Sequence, residues 1–422
     1  MAFRHLGPAL VLAALSGCTP SSKDATPAEP RSLALVDSTS RIDALIREPM
    51  VVRHPSGALF TSGYWDSIPP LYRSDDDGRT WSRVDLGPRT AGATGNSDID
   101  LAVGPDGGLY LITLEFDRAG YRGKSIQVAT SRDVGKTWRW TRLSETTMDD
   151  RPWVEVAPDG TVHAIWNDGA GVSYAVSRDT GSTWTEADRI SPAGGSSHLA
   201  IGPQGQVAVR YVPISASGNR FDPKSDGIAV STDGGRSWRH HPPPNAEPWF
   251  PLIDSTVTPP RVGMPEQPRW VEPLAWDSTG ALYAFWGADS AVSLARSVDQ
   301  GATWTTWRLA SGGAMTYFPY LVARGRGELA ASWVSGKGAS LRANVARIVV
   351  PDSGAPVMTA AEPFEFESFV LPGFGEPSQR DAAGEYLPVV FLPDGSIGIV
   401  TPIQNLPDRR MGFGWRRYRA SP

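Results

Sequence analysis

The stretch SRDTGSTW (Ser177–Trp184) carries the pattern that decides the fold. The pattern S-x-D-x-G-x-[ST]-W occurs five times, and the other copies are SDDDGRTW (Ser74–Trp81), SRDVGKTW (Ser131–Trp138), STDGGRSW (Ser231–Trp238) and SVDQGATW (Ser297–Trp304). In each copy the Asp can accept hydrogen bonds from backbone N–H groups ahead of it, and the Gly supplies a positive φ. The Trp offers a large apolar anchor where a strand begins. The repetition therefore predicts five tight turns of one design.

Between these turns a second unit recurs, made of a short apolar strand, a Gly-containing turn and another apolar strand. DRPWVEVAPDGTVHAIW from Asp150 and YLPVVFLPDGSIGIV from Tyr386 are two of its seven copies. At a spacing of roughly 45–75 residues, the copies predict repeats of four strands each. The sixth repeat lacks the turn pattern, but SLRANVARIVV (Ser340–Val350) supplies a strand there.

These repeats predict an all-β chain folded as a β-propeller of seven four-stranded antiparallel blades. The last repeat contains one clear strand after its hairpin, so SLALVDS (Ser32–Ser38) is expected to add the missing outer strand and close the ring. Two segments, His241–Pro268 and Pro351–Gly384, are expected to be loops on one face. No helix longer than a turn or two is expected.

The five turns resemble the Asp boxes, or BNR repeats, of the sialidase (neuraminidase) superfamily, and the resemblance covers most of the chain. It implies a propeller in which each box tightens a hairpin at the outside of a blade. True sialidases have six blades, so six is the alternative to the seven counted here. The resemblance implies a structural role for the Asp of each box, which is Asp76, Asp133, Asp179, Asp233 or Asp299.

The N-terminal stretch MAFRHLGPALVLAALSGC has a basic n-region and an apolar h-region. It ends in Leu-Ser-Gly-Cys, which matches the bacterial lipobox. Cys18 is the only cysteine of the chain, and this favours lipidation over a stray cysteine in an ordinary signal peptide. We expect a lipoprotein signal peptide at residues 1–17, a flexible tether at 18–31 and a single propeller domain at 32–422. Thr19 after the cysteine favours the bacterial outer membrane, with the lipid as the only membrane contact.

Composition and motifs exclude several other classes of function. A net charge of −5 gives no electrostatic case for a nucleic-acid partner. The six histidines are scattered without zinc spacing, and neither a phosphate-binding Gly-rich loop nor a G-x-S-x-G elbow is present. Asp98 and Asp100 would suit a structural calcium ion, but two carboxylates on one strand do not define a site. We therefore expect no cofactor and no metal, and a monomer.

A second resemblance to bacterial sialidases concerns the nucleophile. Their motif Y-S-x-L-x-x-L-x-D-G-x-I-G-L-L-Y-E resembles YLPVVFLPDGSIGIVTP, which places Tyr386 at the nucleophile position. The Ser of the motif is replaced by Leu387, and the closing Tyr-Glu is missing. The resemblance also implies that Glu272, in an E-P pair before a turn, activates the Tyr. Asp66 in SGYWDS is then the acid/base group.

In sialidases three arginines hold the substrate carboxylate. Arg47, in the frame R-E-P, resembles the first of them, and Arg342 resembles the third. The second is missing from its expected place near Phe285. Arg210, which ends the equivalent strand of the preceding repeat, could take its place.

The sequence thus predicts a cell-surface, sialidase-like propeller that acts on glycans as a glycoside hydrolase with a Tyr/Glu nucleophile pair and an Asp acid/base. The alternative is a non-catalytic propeller that binds a glycan or an envelope partner, and the missing arginine and the extra blade favour it. His198 with a nearby Tyr would suit a polysaccharide lyase, by analogy at the level of fold. The incomplete arginine clamp predicts weak or absent cleavage of sialosides.

Overall fold

The chain is described by a computed structural model. It describes residues 32–43, 46–64, 67–120, 122–169, 171–186, 188–191, 194–213, 226–245, 252–254, 261–263, 271–288, 290–311, 316–336, 341–365, 386–405 and 410–420. The predicted signal peptide and tether, with Cys18, lie outside the described residues, and so does Asp66. Their predicted roles therefore stay predictions.

Seven antiparallel sheets form the blades of a β-propeller, which confirms the predicted fold class and blade number. Each blade has a row of four strands, and blade 6 has a fifth, short strand beside its third. The chain begins with β1 (Leu33–Asp43), which belongs to blade 7. Blade 1 contains β2 (Arg47–Arg53), β3 (Leu59–Tyr64), β4 (Leu71–Ser74) and β5 (Ser82–Val84), and blade 2 contains β6 (Ile99–Val103), β7 (Leu109–Asp117), β8 (Arg122–Ser131) and β9 (Arg139–Ser144). Blade 3 contains β10 (Asp150–Val156), β11 (Val162–Asn167), β12 (Val172–Ser177) and β13 (Asp188–Ser191).

The remaining blades follow the same plan, with a separate hairpin between blades 4 and 5. The strands are β14 (Gly195–Ile201), β15 (Val207–Val212), β16 (Gly227–Ser231) and β17 (Arg239–His241) in blade 4; the hairpin β18 (Leu252–Asp254) and β19 (Arg261–Gly263); β20 (Leu274–Trp276), β21 (Leu282–Ala288), β22 (Ala291–Ser297) and β23 (Thr305–Ser311) in blade 5; β24 (Thr316–Arg324), β25 (Glu328–Ser335), β26 (Arg342–Val349), β27 (Val357–Ala360) and β28 (Phe364–Glu365) in blade 6; and β29 (Val389–Phe391), β30 (Ile397–Asn405) and β31 (Arg410–Ala420) in blade 7. Within the described ranges the one helical element is a short 3-10 turn at Arg89–Ala91, and no helix is long and apolar enough to span a membrane.

The ring is closed by the N-terminal strand. β1 pairs antiparallel with β31, from Leu33 opposite Ala420 to Asp43 opposite Gly412. It therefore serves as the outer strand of blade 7, as predicted from SLALVDS. Because the two ends of the propeller chain share one sheet, blade 7 cannot separate from blade 1 without breaking this pairing.

The hydrophobic core lies between neighbouring blades rather than at one centre. Every residue of β11 and β12 is buried, since each blade has a neighbour against both of its faces. One cluster joins Ile112 and Val128 of blade 2 to Val154 and Trp166 of blade 3. Equivalent clusters join the other blades around the ring.

The five repeated turns, called box turns below, each connect the third and fourth strands of a blade. In the third of them, Thr183 donates its N–H to Asp179 Oδ1 and its hydroxyl to Oδ2, both at 2.7 Å. Ser177 Oγ donates to Asp179 Oδ1 and accepts from the N–H of Gly181, both at 2.8 Å. The same bonds recur in the other four turns.

The glycine of a box turn also contacts the preceding blade. Gly235 has a φ of 83°, and a Cβ added there would overlap the hydroxyl of Tyr174 in blade 3. A Cβ on Gly78 would overlap the indole of Trp415 in blade 7 in the same way. Gly78 and Gly235 are therefore needed for two reasons, the left-handed backbone and the close approach of an aromatic side chain.

The prediction that the two inserts are loops is wrong, because both contain paired strands. Residues 351–384 were expected to be a loop, but β27 and β28 lie in this segment and both pair with β26. Val357 and Met358 face Val349 and Ile348 across the ladder, so these apolar residues complete the sheet where blade 6 lacks a box turn. In the other insert, expected as a loop from 241 to 268, β18 and β19 form a two-stranded hairpin.

Candidate functional site

The first strands of the seven blades surround the central channel. β2, β6, β10, β14, β20, β24 and β29 contact one another in a closed ring. Because they all run in the same direction, their starting residues gather at one end of the channel. We call this end the channel mouth. Ligands of propellers bind at such an end, where the central channel opens.

Five side chains from five blades fill the channel near its mouth: Met50, Trp153, His198, Tyr320 and Tyr386, called the channel plug below. The Trp153 ring lies 5.5 Å from the Tyr386 ring and 5.1 Å from the His198 ring. The His198 ring lies 6.1 Å from that of Tyr320, whose hydroxyl is 3.6 Å from the sulfur of Met50. A ligand that enters at the mouth therefore meets an aromatic floor rather than an open tunnel.

Tyr386, the predicted nucleophile, belongs to this floor. Its side chain is 4% exposed, and its hydroxyl donates to Asp98 Oδ1 across a distance of 3.5 Å. Asp98 is half-buried and directly precedes β6. The structure thus brings a phenol from blade 7 to a carboxylate from blade 2, and this carboxylate can accept the phenolic proton.

Glu272, the predicted activator, has other partners. Its Oε2 accepts from Nε of Arg210 at 3.0 Å and is also bonded to Nη2 of the same side chain. Its Oε1 accepts from Asn245 Nδ2 at 2.9 Å. The carboxylate is 4% exposed. Both of its oxygens therefore already accept hydrogen bonds, one from Arg210 and the other from Asn245.

Arg210, the predicted substitute for the missing arginine, is 1% exposed. Besides Glu272, its guanidinium pairs with Asp226 at 2.6 Å. Burial disfavours the charged guanidinium, but the two carboxylates hold the pKa of Arg210 above its ordinary value. Sequence reasoning singled out both Arg210 and Glu272, yet it gave them separate roles, whereas the structure joins them in one buried ion pair.

The other two predicted arginines have different contacts. The guanidinium carbon of Arg47 lies 5.5 Å from the ring centre of Tyr64, at the start of β2. Arg342 is exposed at the start of β26, the third strand of blade 6, and donates to the carbonyl oxygen of Pro363 at 3.3 Å. Within the described chain, Arg210 is thus bound by two carboxylates and Arg342 by a backbone carbonyl oxygen.

The backbone is strained at three equivalent positions of the mouth. Glu48, Arg151 and Phe318 have φ values of 48°, 45° and 50°. Each lies at a register shift in a first strand, and each is followed by a proline and then by a member of the channel plug. A non-glycine residue in this region costs about 1–3 kcal/mol, and such residues cluster at functional sites.

This recurrence is a signal that sequence reasoning missed. The chain repeats X-Pro-Met, X-Pro-Trp and X-Pro-Tyr at the starts of three first strands. The residue after the proline is a plug residue in each case, namely Met50, Trp153 or Tyr320. Aligning β2, β10 and β24 on their prolines would have identified Trp153 as a channel residue.

Two carboxyl groups lie farther along neighbouring first strands, Asp100 on β6 and Glu155 on β10. Asp100 Oδ2 accepts from the N–H of Val154 at 2.9 Å and so links blades 2 and 3. Burial raises the pKa of Asp100 to about 7. Burial and repulsion from Asp100 raise the pKa of Glu155 to about 8, although Glu155 keeps some accessible surface. Glu155 is therefore largely protonated at neutral pH.

The imidazole of the channel plug, His198, is neutral as well. Burial lowers the pKa of His198 to about 3, and its Nδ1 accepts from the N–H of Leu274 in blade 5 at 3.3 Å. This bond fixes the ring with Nδ1 as the acceptor. In the part of the chain that the structure describes, no group of three or more His, Cys, Asp or Glu side chains is arranged to hold a metal ion.

No family model and no curated protein sequence matches this chain. Solved structures match over most of its length. A fungal alcohol oxidase of the AA5 family, solved in complex with copper, is 11% identical with a TM-score of 0.50, over 92% of this chain and 76% of that one. The GH74 xyloglucanase of Xanthomonas campestris is 16% identical with a TM-score of 0.49, over 90% of this chain and 55% of that one. The NanB sialidase of Streptococcus pneumoniae is 12% identical with a TM-score of 0.42, over 91% and 70%. At these identities the likeness is one of overall fold alone.

Proposed function

We propose that this protein acts on glycans at its channel mouth, as a glycoside hydrolase whose nucleophile is Tyr386. The observation that carries the proposal is the Tyr386 hydroxyl, which lies 3.5 Å from the Asp98 carboxylate on a buried aromatic floor. Phenol nucleophiles are a known exception to the usual carboxylate pair of glycosidases, and they need a neighbouring base. Asp98 takes the place of that base, because Glu272 is held by Arg210.

In the first step the phenolic oxygen of Tyr386 attacks the anomeric carbon, and its proton passes to Asp98. The bond from the anomeric carbon to the leaving oxygen breaks, and Asp66, the acid/base group inferred from sequence, supplies the proton to that oxygen. In the second step water attacks the anomeric carbon of the glycosyl-tyrosine. Asp66 accepts a proton from that water, and Asp98 returns its proton to the phenol. Two displacements at one carbon retain its configuration.

The arrangement of the arginines supports a substrate other than a sialoside. A sialic acid carboxylate needs guanidinium groups that are free to bind it. Arg210 is already neutralised by Glu272 and Asp226, and Arg342 is on the third strand of its blade. We propose that the sugar at the point of cleavage carries no carboxylate.

The test is hydrolysis of a panel of neutral aryl glycosides and one aryl sialoside. The wild type should release the aryl group from at least one neutral glycoside, and Tyr386→Phe should abolish the release. Asp98→Asn should lower kcat by at least about a hundredfold. Tyr211→Phe is the matched control, since Tyr211 is a buried tyrosine of blade 4 whose hydroxyl is 3.2 Å from His240 Nδ1. Full activity in Tyr386→Phe would contradict the proposal.

The second candidate is a non-catalytic glycan-binding propeller. The buried Arg210–Glu272 pair favours it, because this pair occupies the two groups that sialidase chemistry would use. This candidate predicts glycan binding with no release of the aryl group from any substrate of the panel. Binding that persists in Tyr386→Phe, together with an inactive wild type, would select it.

We also propose that the protein is a monomer anchored in the bacterial envelope by a lipid on Cys18, in the outer membrane. The lipobox before Cys18 and the lack of any other cysteine support this. Cys18→Ala should move the protein from the detergent phase to the soluble fraction, whereas Cys18→Ala protein that stays in the detergent phase would argue against the anchor.

A further inference from the structure

A cavity of about 280 Å³ lies between the second and third box turns, at the outer edges of blades 2 and 3. We propose that this interblade cavity binds a carboxylated sugar. Its volume is close to the small end of ligand cavities, roughly 300–1,000 Å³. The lining residues share a polar or aromatic character and are Thr130, Arg132, Thr137, Trp138, Arg139, Thr180 and Ser182. The proposal does not depend on hydrolysis at the channel mouth, which involves other residues.

Arg139 supplies the positive charge. It donates from Nη1 to the carbonyl oxygen of Ser182 at 3.1 Å and is also bonded through Nη2 to that of Gly181. Among the described residues no carboxylate forms an ion pair with it. Two neutral carbonyl oxygens thus fix the exposed guanidinium in place, and its remaining N–H groups can bind a carboxylate.

Thr130 supplies a buried hydroxyl group. Its side chain is 5% exposed and lines the cavity, yet its Oγ1 has no hydrogen-bond partner among the described residues. A buried polar group without a partner is costly, and each such group in a folded protein calls for an explanation. Rotation of the Thr130 side chain about χ1 would turn this hydroxyl toward the cavity, where a sugar hydroxyl would provide the missing partner.

The junction between the third and fourth box turns has a different arrangement of arginines from the junction that holds the cavity. There Arg178 donates to the carbonyl oxygen of Gly234 at 3.1 Å. Its counterpart in the second box turn, Arg132, instead bonds Asp106 Oδ2 at 2.7 Å. The carbonyl oxygens of the third box turn are bonded by Arg139 instead of Arg132. Arg139 follows the Trp of the second box turn, and the residue that follows the Trp of the third is Thr185. The junction of the second and third box turns therefore has two arginines, Arg132 and Arg139, where the next junction has Arg178 and Thr185.

Trp138 explains why the ligand is a sugar rather than a small inorganic anion. It is half-buried, lines the cavity and donates its Nε1–H to the carbonyl oxygen of Gly135 at 3.1 Å. Its orientation is therefore fixed. An indole beside hydroxyl groups suits the mixed apolar and polar surface of a sugar ring, and the guanidinium selects those sugars that carry a carboxylate.

The proposal is tested by calorimetric titration of the full chain with D-glucuronate and with D-glucose, its neutral match. The wild type should bind glucuronate and should bind glucose at least about tenfold more weakly. Arg139→Gln should weaken glucuronate binding by about ten- to a hundredfold, the loss of one charge-assisted hydrogen bond. Arg178→Gln, the matched control at the next junction, and Tyr386→Phe should both bind as the wild type does.

Thr130→Val separates a binding role from a structural one. It removes a hydroxyl that lacks a partner in the free protein, so it should raise Tm in the absence of ligand and weaken glucuronate binding. A lower Tm together with unchanged binding would overturn the assignment of Thr130. Absence of glucuronate binding to the wild type, or equal losses in Arg139→Gln and Arg178→Gln, would overturn the site.

Discussion

Asp179 at the outer edge of blade 3 and Glu155 in the channel of the same blade are both carboxylic acids, but their pKa values move in opposite directions. Hydrogen bonds from Thr183, led by its backbone N–H, lower the pKa of Asp179 to about 2. Burial, with repulsion from Asp100, raises the pKa of Glu155 to about 8. The outer turn stabilises a charge, whereas the channel keeps its carboxyl group protonated.

The two regions differ in their backbone as well. At the box turns positive φ values are taken by glycines such as Gly181 and Gly235, and also by non-glycine residues of the turn itself such as Thr180. At the channel mouth they are taken by Glu48, Arg151 and Phe318, which lie at register shifts near the starts of strands. Strain inside a regular strand needs support from the surrounding structure. Both regions of the described chain therefore hold strained non-glycine residues, four in the box turns (Asp77, Val134, Thr180 and Gln300) and three at the mouth. In the turns each of them directly precedes a glycine of positive φ, whereas at the mouth each lies at a register shift and precedes a proline.

The largest effect on stability is expected at the buried ion pair of the mouth. Arg210→Met would leave Glu272 and Asp226 buried without their cation, so the free energy of unfolding should fall by about 3–5 kcal/mol. Chemical denaturation measures this. Arg342→Met, which removes an exposed guanidinium, is the control and should change little. Equal effects of the two substitutions would show that the Arg210 pair is not buried in solution.

A smaller loss is expected at the outer edge. Gly235→Ala would push a methyl group into the Tyr174 hydroxyl and should cost about 1–3 kcal/mol more than the backbone effect alone. Gly57→Ala measures that backbone effect, because Gly57 has a φ of 99° and no atom within 4 Å of an added Cβ. Equal losses in the two variants would contradict the close contact between the fourth box turn and Tyr174 of the preceding blade.

Because of the channel carboxyl groups, the free energy of unfolding should fall as the pH rises. The folded protein keeps a proton on Glu155 up to a pKa of about 8, while the unfolded chain releases it near 4.5. Between these values the free energy of unfolding should therefore decrease by about 1.4 kcal/mol per pH unit for this group. Glu155→Gln should flatten that decrease and stabilise the protein at pH 8. An unchanged slope would place Glu155 in contact with bulk water.

The box turns should show the opposite pH dependence and the smallest effect. Asp179 has a folded pKa of about 2 against an ordinary 3.8, so its contribution is present above pH 3.8 and is lost as the pH falls through about 2. Asp179→Asn should lower Tm slightly at pH 7 and weaken the fall of Tm between these values. Glu186→Gln, which alters an exposed carboxylate of the same blade, should leave the acid profile unchanged. A profile shared by both variants would argue against the turn as the cause.

The fold was predictable because its determinants are local. Each box turn needs only the eight residues from its Ser to its Trp, so five copies could be recognised without knowing what they touch. The ring closure was predictable too, since the seventh repeat lacked a strand that the N-terminal apolar stretch could supply. β27 was missed because Val357 and Met358 follow a Gly- and Pro-containing turn and do not show the repeated pattern.

The site was only partly predictable because its contacts join distant parts of the chain. Arg210 and Glu272 are 62 residues apart, and Tyr386 and Asp98 are 288 residues apart. The sequence pattern placed each of these residues near the end of a strand, but it could not show which side chain of another blade each one would contact. Burial then decided, because a buried guanidinium must be paired with a carboxylate.

The most direct test of the central claim is to trap the covalent intermediate. A neutral 2-deoxy-2-fluoro aryl glycoside, chosen from the class that the wild type hydrolyses, should react once and add the mass of one sugar to the protein. Peptide mass spectrometry should locate that mass on Tyr386, and Tyr386→Phe should take up none. A label on another residue, or hydrolysis that proceeds with inversion and without any label, would contradict the account.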